Sequence, residues 1–321
     1  MEALMMLHLI ACLAGFIIDR FYGEPKVLKH PVIWIGSYIK RCTTVWNKGH
    51  HRKMKGAFVA ISTVFLTFVV TLFIVFVSYR IHPVVGCIVE AILISMALAQ
   101  KSLAQAAYDV ERPLVEGDFS TARQKLSWIV GRDTEMLDEA NITRGVVETV
   151  SENTSDGITA PLFYAFLFGA TGAWVYKAIN TLDSMIAYKN TTYGEFGYVA
   201  AKMDDAANVV PSRVTGFLIL IGTKNVSGLS WKERFQKWRI DAKKHPSPNS
   251  GYLEAATAYQ LGIQLGGLNA YGGIISHRKE MGEPLHTLQA SHIHATVHQM
   301  YRASTLFLII GLLIGGMFIV T

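Results

Sequence analysis

From Gly56 to Tyr79 the chain runs without a single charge. That is longer than the roughly twenty apolar residues a helix needs to cross a bilayer core. Lipid offers backbone groups no hydrogen bonds, so a helix is the conformation expected there. Other runs repeat the pattern less cleanly. Leu4 to Ile18 is apolar apart from His8. No Lys or Arg precedes it and no small-residue cleavage site follows it, so a short retained membrane helix is expected rather than a signal peptide. Val84 to Ala104 reads as a further span with the acid Glu90 inside it. A buried acid in a span is a functional candidate, although its apolar neighbours fit an interfacial position equally well. Ile158 to Tyr176, with Gly169 and Gly172, could cross or could dip in and return. Residues 206–222 form a short run that crosses only if Ala206 to Val210 joins it, and 303–320 closes the chain as the last span.

The composition agrees. The chain is 51% hydrophobic and 17% charged, where a soluble domain carries about a quarter charged residues, and its mean hydropathy is +0.29. The expected fold class is all-α: a polytopic membrane protein of about four to six membrane helices with amphipathic or interfacial helices between them. No internal repeat appears, so residues 1–321 read as one membrane-embedded domain. The net charge of +6 does not point to nucleic acid. Its basic residues sit in the segments between apolar runs, above all Arg20 to Lys55, which the positive-inside rule places in the cytoplasm. No basic patch interleaved with aromatics asks for DNA or RNA. Cys12, Cys42 and Cys87 are far apart in sequence and read as small core residues.

The polar chemistry centres on Gly131 to Pro161. Read as a helix from about Asp138, this stretch sets Arg144, Glu148, Glu152 and Asp156 in one row, four residues apart. Such a row is usually a solvated face. Here a long apolar run follows, which carries the row toward a bilayer surface where the carboxylates need a cationic partner. Asp133 or Thr134 is expected to cap the helix. Asp204-Asp205 can hold Mg²⁺ through one or two carboxylates, or can be a solvated helix start. His245 to Gly251 contains two prolines and a glycine, so it is expected as an extended loop with polar groups free for a ligand. Gly262, Gly266-Gly267 and Gly272-Gly273 fit neither phosphate-loop spacing nor a Rossmann context, and close helix packing is expected of them. His292, His294 and His298 can approach a metal at helical spacing, but no acid accompanies them.

Taken together these motifs resemble the adenosylcobinamide-phosphate synthase family, the cobalamin biosynthesis proteins called CbiB or CobD. The resemblance runs nearly end to end. It is carried by Asp19 with Gly23-Glu24-Pro25 and His30-Pro31-Val32; by Gly131 to Thr134; by Val147 to Gly157 with Ala160 to Phe163; by Asn180 to Met185; by Tyr193 with Phe196-Gly197; by Asp204-Asp205 with Asn208, Pro211 and Arg213; by His245 to Gly251 with Glu254 to Ala256; and by Leu265-Gly266-Gly267 with Tyr271-Gly272-Gly273. Ala187 stands where the pattern has Gly, and the stretch near His292 is richer in His. A narrower resemblance exists to AmpE-like membrane proteins.

The resemblance implies a multi-pass inner-membrane protein that forms an amide. Adenosylcobyric acid would be joined through a propionate to (R)-1-aminopropan-2-ol or its O-phosphate, with ATP and Mg²⁺. A carboxylate is a poor electrophile until phosphorylated, and phosphoryl transfer needs a metal and cationic clamps. The amine must then lose a proton to a carboxylate or His. On residue chemistry, Glu148, Glu152, Asp156, Asp204 and Asp205 would handle metal and amine, the metal falling to Glu152, Asp156, Asp204 and Asp205. Arg132, Arg144 and Arg213 would hold phosphates. Asn153, Asn180, Asp183 and Asn249 would hydrogen-bond substrates, with Asp19, Asp133 and Glu254 in the same binding set. His30 and His245 are the proton-transfer candidates. The polar segments are expected to meet at the cytoplasmic face, with residues 158–176 and 209–222 as half-spans or interfacial helices. The competing reading is an AmpE-like accessory protein or a small-molecule permease. A permease should set its charges at mid-membrane between repeated halves.

Overall fold

The computed structural model describes residues 2–23, 30–188 and 190–320. Glu24 and Pro25 of the first motif, and the basic residues Lys26, Lys29 and Lys189, lie outside them. In chain order the helices are α1 (Glu2–Phe21), α2 (Pro31–Trp46), α3 (Arg52–Ile81), α4 (Pro83–Ala97), α5 (Gln100–Val115), α6 (Phe119–Ser127) and α7 (Glu139–Thr154). A π turn at Ser155–Thr159 follows. Then come α8 (Ala160–Ile186), α9 (Tyr198–Ala207), α10 (Val209–Gly222), α11 (Trp231–Asp241), a 3₁₀ turn at Ala242–Lys244 and α12 (Ser250–Leu261). Strands β1 (Gln264–Tyr271) and β2 (Ile274–Gly282) precede α13 (Ser291–Val320).

Among the described residues five helical stretches are long and apolar enough to cross a membrane: Glu2–Phe21, Arg52–Ile81, Pro83–Val115, Glu139–Ile186 and Ser291–Ile319. Residues 206–222 do not form one. Asn208 ends α9, and the 14-residue α10 starts afresh at Val209. The run read as one span from Val84 to Ala104 is broken at Leu98, which is extended (φ −88°, ψ 161°). The Met96 carbonyl, which a continuous helix would bond to residue 100, accepts instead from His30 Nε2 at 2.8 Å.

The contacts divide into two units. The first holds Met1–Ala99, Asp156–Asn208 and Leu308–Thr321; the second holds Gln100–Ser155 and Val209–Phe307. In the first, Ile39, Val59, Leu182, Ile186 and Phe196 form a buried cluster where α2, α3 and α8 meet. Within it α8 is broken at Phe168 (φ −139°, ψ 17°) and Gly169 (φ 66°, ψ −162°). Only glycine adopts that second conformation cheaply, and a Cβ there would lie 2.4 Å from Glu90 Oε1. The break frees backbone groups that lipid cannot solvate. Glu90 Oε1 accepts the Ala170 N–H at 3.3 Å, and His8 Nε2 donates to the Phe166 carbonyl at 3.2 Å. His8 Nδ1 meets Glu90 Oε1 at 3.2 Å, and the Tyr79 hydroxyl donates to Oε2 at 2.6 Å. Glu90 therefore closes a broken helix.

In the second unit Val147, Ala258, Leu261, Ile263 and Leu265 pack α7, α12 and β1 together. The chain is helical as expected, with one small two-stranded sheet, and it is the helix-packing expectation for Gly266-Gly267 and Gly272-Gly273 that is corrected. The glycine pairs belong to an antiparallel hairpin in which Tyr271 pairs with Ile274, and an irregularity between Leu265 and Gly267 shifts the register. Gly272 and Gly273 both have positive φ, 57° and 78°, as the favoured two-residue hairpin turn requires.

Candidate functional site

Helix α7 starts where the sequence suggested, but Asp138 rather than Asp133 or Thr134 caps it, accepting from Asn141 N at 2.9 Å. Asp133 has another partner: its carboxylate takes the N–H groups of Gly272 (2.9 Å) and Gly273 (2.7 Å), and its own N–H donates to Ala270 O at 2.8 Å. Those two bonds hold the Asp133 carboxyl below its ordinary range. The loop before α7 is thereby fastened to the hairpin tip.

This fastening brings Arg132 onto α7. Its guanidinium pairs with Glu148 Oε2 and donates to Asn269 Oδ1 at 2.7 Å. Glu148 is 2% exposed, and its other oxygen accepts the Gly266 N–H at 2.9 Å. Arg144, one turn earlier, donates to the carbonyls of Gly266 and Leu268 and to Asn269 Oδ1. Arg144 therefore holds the backbone of β1, and both arginines meet on the side chain of Asn269. One turn later, Glu152 is half-buried and accepts from Ser250 Oγ at 2.6 Å, at the start of α12. Ser151 reaches Thr257 at 3.0 Å beside it.

Helix α12 carries Glu254, which is 1% exposed. His245 Nε2 lies 3.4 Å from Glu254 Oε1, but neither carboxyl oxygen has a hydrogen-bond partner. Burial, and after it the carboxylates of Glu148 and Glu152, push this carboxyl well above its ordinary range, which favours its neutral form. Burial likewise lowers His245 and keeps it neutral. His245 Nδ1 accepts the Ser247 N–H at 3.0 Å, which assigns the ring proton to Nε2, facing Glu254. Arg278 of β2 donates to Tyr271 at 3.0 Å and lies 3.5 Å from His245. Burial works against its charge, but Tyr271 and neighbouring acids, the carboxylates of Glu148 and Glu152 among them, outweigh that and hold it above its ordinary value. From α10, Arg213 donates to Asn249 Oδ1 (2.8 Å) and Pro248 O (3.1 Å) of the loop before α12, and stacks 4.3 Å over Tyr252.

The second unit thus gathers Arg132, Arg144, Glu148, Glu152, His245 and Glu254 around one buried polar cluster, with Arg213 of α10 paired to Asn249 on the loop that enters it. Asn153 turns its amide back to Thr149 O. Apart from the histidines of α13, the remaining candidates lie in the first unit. Asp156 is in the π turn. Asp204 accepts from Asn208, whose own carbonyl oxygen accepts the Tyr176 hydroxyl at 2.9 Å. Asp205 pairs with exposed Lys202 at 2.8 Å. Asp19 is buried near the end of α1, and Asn180 and Asp183 stand in the last turns of α8. Both ring nitrogens of His30 are engaged, Nδ1 capping α2 and Nε2 holding Met96 O. The rings of His294 and His298 stack 5.0 Å apart, with Tyr108 5.7 Å from His294. Among the described residues no group of three or more His, Cys, Asp or Glu is placed to hold a metal by itself.

A family model described as CobD/Cbib protein matches residues 12–300. The chain belongs to the CobD/CbiB family. It is 45% identical over 309 residues to the cobalamin biosynthesis protein CobD of Halalkalibacterium halodurans, covering 96% of this chain and 97% of that one. To the protein of the same name from Clostridium perfringens it is 41% identical, covering 95% of this chain and 98% of that one. To the cobalamin biosynthesis protein CbiB of Salmonella paratyphi B it is 43% identical, covering 94% and 95%. No solved structure matches. In this CobD/CbiB chain the sequence reading missed Arg278, Tyr271 and Asn269. All three sit on the hairpin, and Gly272-Gly273 between Tyr271 and Ile274 was the available signal of a hairpin turn.

Proposed function

We propose that the chain serves cobalamin biosynthesis as an ATP-dependent amide ligase, joining adenosylcobyric acid to (R)-1-aminopropan-2-ol or its O-phosphate. What supports this reading is family membership together with one observation: three arginines and three glutamates from α7, α12, the hairpin and one loop converge on a buried cluster in which both oxygens of one carboxyl, that of Glu254, lack hydrogen bonds. Structural ion pairs seldom leave both oxygens of a buried carboxyl without hydrogen bonds, whereas sites that bind charged substrates do shift such groups.

In the proposed reaction the propionate oxygen of the corrinoid attacks the γ-phosphorus of ATP and ADP leaves. The amine then attacks the acyl carbon, and phosphate departs with one former carboxylate oxygen. Arg132, Arg144 and Arg278 supply fixed positive charge for the phosphoryl oxygens, and Arg213 shapes the entering loop. Glu148 is occupied by Arg132 and Gly266, and burial favours the neutral form of Glu254. Glu152, the half-buried carboxylate of the cluster, is therefore the one to accept the amine proton. Glu254 and the Nε2–H of His245 offer neutral donors to the substrate. Mg²⁺ takes one or two carboxylates and fills its shell with waters and phosphate oxygens, so a donor set without a three-ligand cage fits an ion that arrives with the nucleotide. Of the carboxylates proposed for the ion, Glu152 belongs to the second unit and Asp156, Asp204 and Asp205 to the first, and when bound it would offset charge on the transferring phosphoryl group. The basic segment Arg20 to Lys55 supports a cell-membrane protein with this chemistry on the cytoplasmic side.

The transport reading loses its main support, because Glu90 is engaged by His8, Tyr79 and Ala170. Glu152→Gln and Asp156→Asn, made in membranes, should abolish amide formation without changing insertion. Wild-type synthesis by both variants would sink these assignments.

A further inference from the structure

On the first unit a cavity of about 220 Å³ opens between α2, α3, α4 and α8. Its α3 wall runs from Thr63 to Ile74, about 16 Å of helix at ~1.5 Å per residue. Spread over that length, such a volume is a slot one hydrocarbon chain wide. It is smaller than the roughly 300–1,000 Å³ of ordinary small-molecule sites, and its length along α3 suits a slender chain. Thr63, Thr67 and Thr71 form its floor, and each hydroxyl is turned back to the carbonyl four residues earlier, at 2.7, 2.8 and 2.6 Å. They therefore present methyl groups. Trp174, 1% exposed, closes the inner wall with its ring nitrogen bonded to Leu93 O at 2.9 Å. Leu66, Val70 and Ile74 at the rim are exposed on a helix long and apolar enough to cross a membrane, so the mouth faces lipid.

The two ends of the slot differ. Tyr38 donates to Ser62 at 3.0 Å and Trp46 stacks on Phe58 at 4.8 Å, so α2 runs antiparallel to α3. The exposed Lys40 and Arg41 of α2 consequently lie toward the end where α3 begins with Arg52, Lys53 and Lys55. An apolar slot along a membrane helix with cations at one end matches a lipid in both its parts.

We propose that this slot holds one acyl chain of an anionic phospholipid of the bilayer, with its phosphate beside Lys40 and Arg41. The lipid seals the gap between α2 and α3 next to the wall that Trp174 forms, independently of any ligase chemistry.

The test uses the full-length protein in bilayers where a minor fraction of the phospholipid carries dibrominated chains, which quench tryptophan on contact. Trp174 emission is read as the difference between wild type and Trp174→Phe. Brominated phosphatidylglycerol in a phosphatidylcholine bilayer should remove most of that emission, and brominated phosphatidylcholine in a phosphatidylglycerol bilayer should remove little. Filling the slot with Thr67→Phe, or with Val70→Phe at an exposed wall position, should restore it. Lys40→Glu with Arg41→Glu should abolish the preference between the two lipids. Unquenched Trp174 in wild type overturns the proposal, as does equal quenching in the filled variants. Equal quenching by both lipids overturns the choice of an anionic headgroup.

Discussion

Arg132 and Glu148 set the stability of the cluster because neither charge has water to return to. Removing one partner of such a pair leaves an uncompensated buried charge and costs about 3–5 kcal/mol, while replacing both with apolar side chains is often far cheaper. Arg132→Ala should therefore lower the thermal midpoint in detergent more than the double variant Arg132→Met with Glu148→Leu. Glu254 adds a pH dependence. Its folded pKa lies above the ordinary 4.5, so its contribution is complete below that value and is lost as pH rises through the folded one, by up to about 1.4 kcal/mol per pH unit. Unfolding midpoints of wild type should fall on the alkaline side, and Glu254→Gln should flatten that limb. His245 acts on the other side. Its folded pKa lies below 6.5, so acidification below 6.5 also costs stability. The spacing of Arg144, Glu148 and Glu152 was legible in the sequence because all three lie within one helix. Arg278 was not, since its partners His245 and Tyr271 reach it only through the hairpin.

At the scale of elements, the breaks in regular structure carry information. The kink in α8 depends on Gly169 having no side chain and on Glu90 accepting the freed Ala170 N–H. Leaving a buried donor unpaired costs about 1–3 kcal/mol. Gly169→Ala and Glu90→Leu should each speed hydrogen exchange of the amides around 166–172, and the alanine variant should destabilise the protein further because its Cβ meets Glu90 Oε1. Unchanged exchange in both would remove Glu90 from this role. Glycine at 169 and 172 suggested an interrupted helix, whereas the residues that satisfy the interruption lie some eighty positions away or more and leave no local mark. The hairpin was misread for a related reason. Gly272-Gly273 between Tyr271 and Ile274 is a strong turn signal, but glycines at 266 and 267 interrupt the alternation of β1, and helix packing is the commoner use of glycine pairs among membrane helices.

For the whole molecule, charge-free runs settle the fold class: lipid permits little besides helices wherever a run is long enough. They do not settle where helices end, as the break at Leu98 and the fresh start of α10 show, because those ends are set by side chains arriving from elsewhere. The proposed chemistry belongs to this scale, since it needs loops, helices and hairpin together. Its most direct test is the fate of the carboxylate oxygens. The purified protein in lipid is given adenosylcobyric acid labelled with ¹⁸O in its free propionate, together with aminopropanol phosphate, ATP and Mg²⁺. Activation by phosphorylation predicts one ¹⁸O in the inorganic phosphate released for each amide formed. Amide formed with no label in the phosphate, or without ATP consumption, would contradict it.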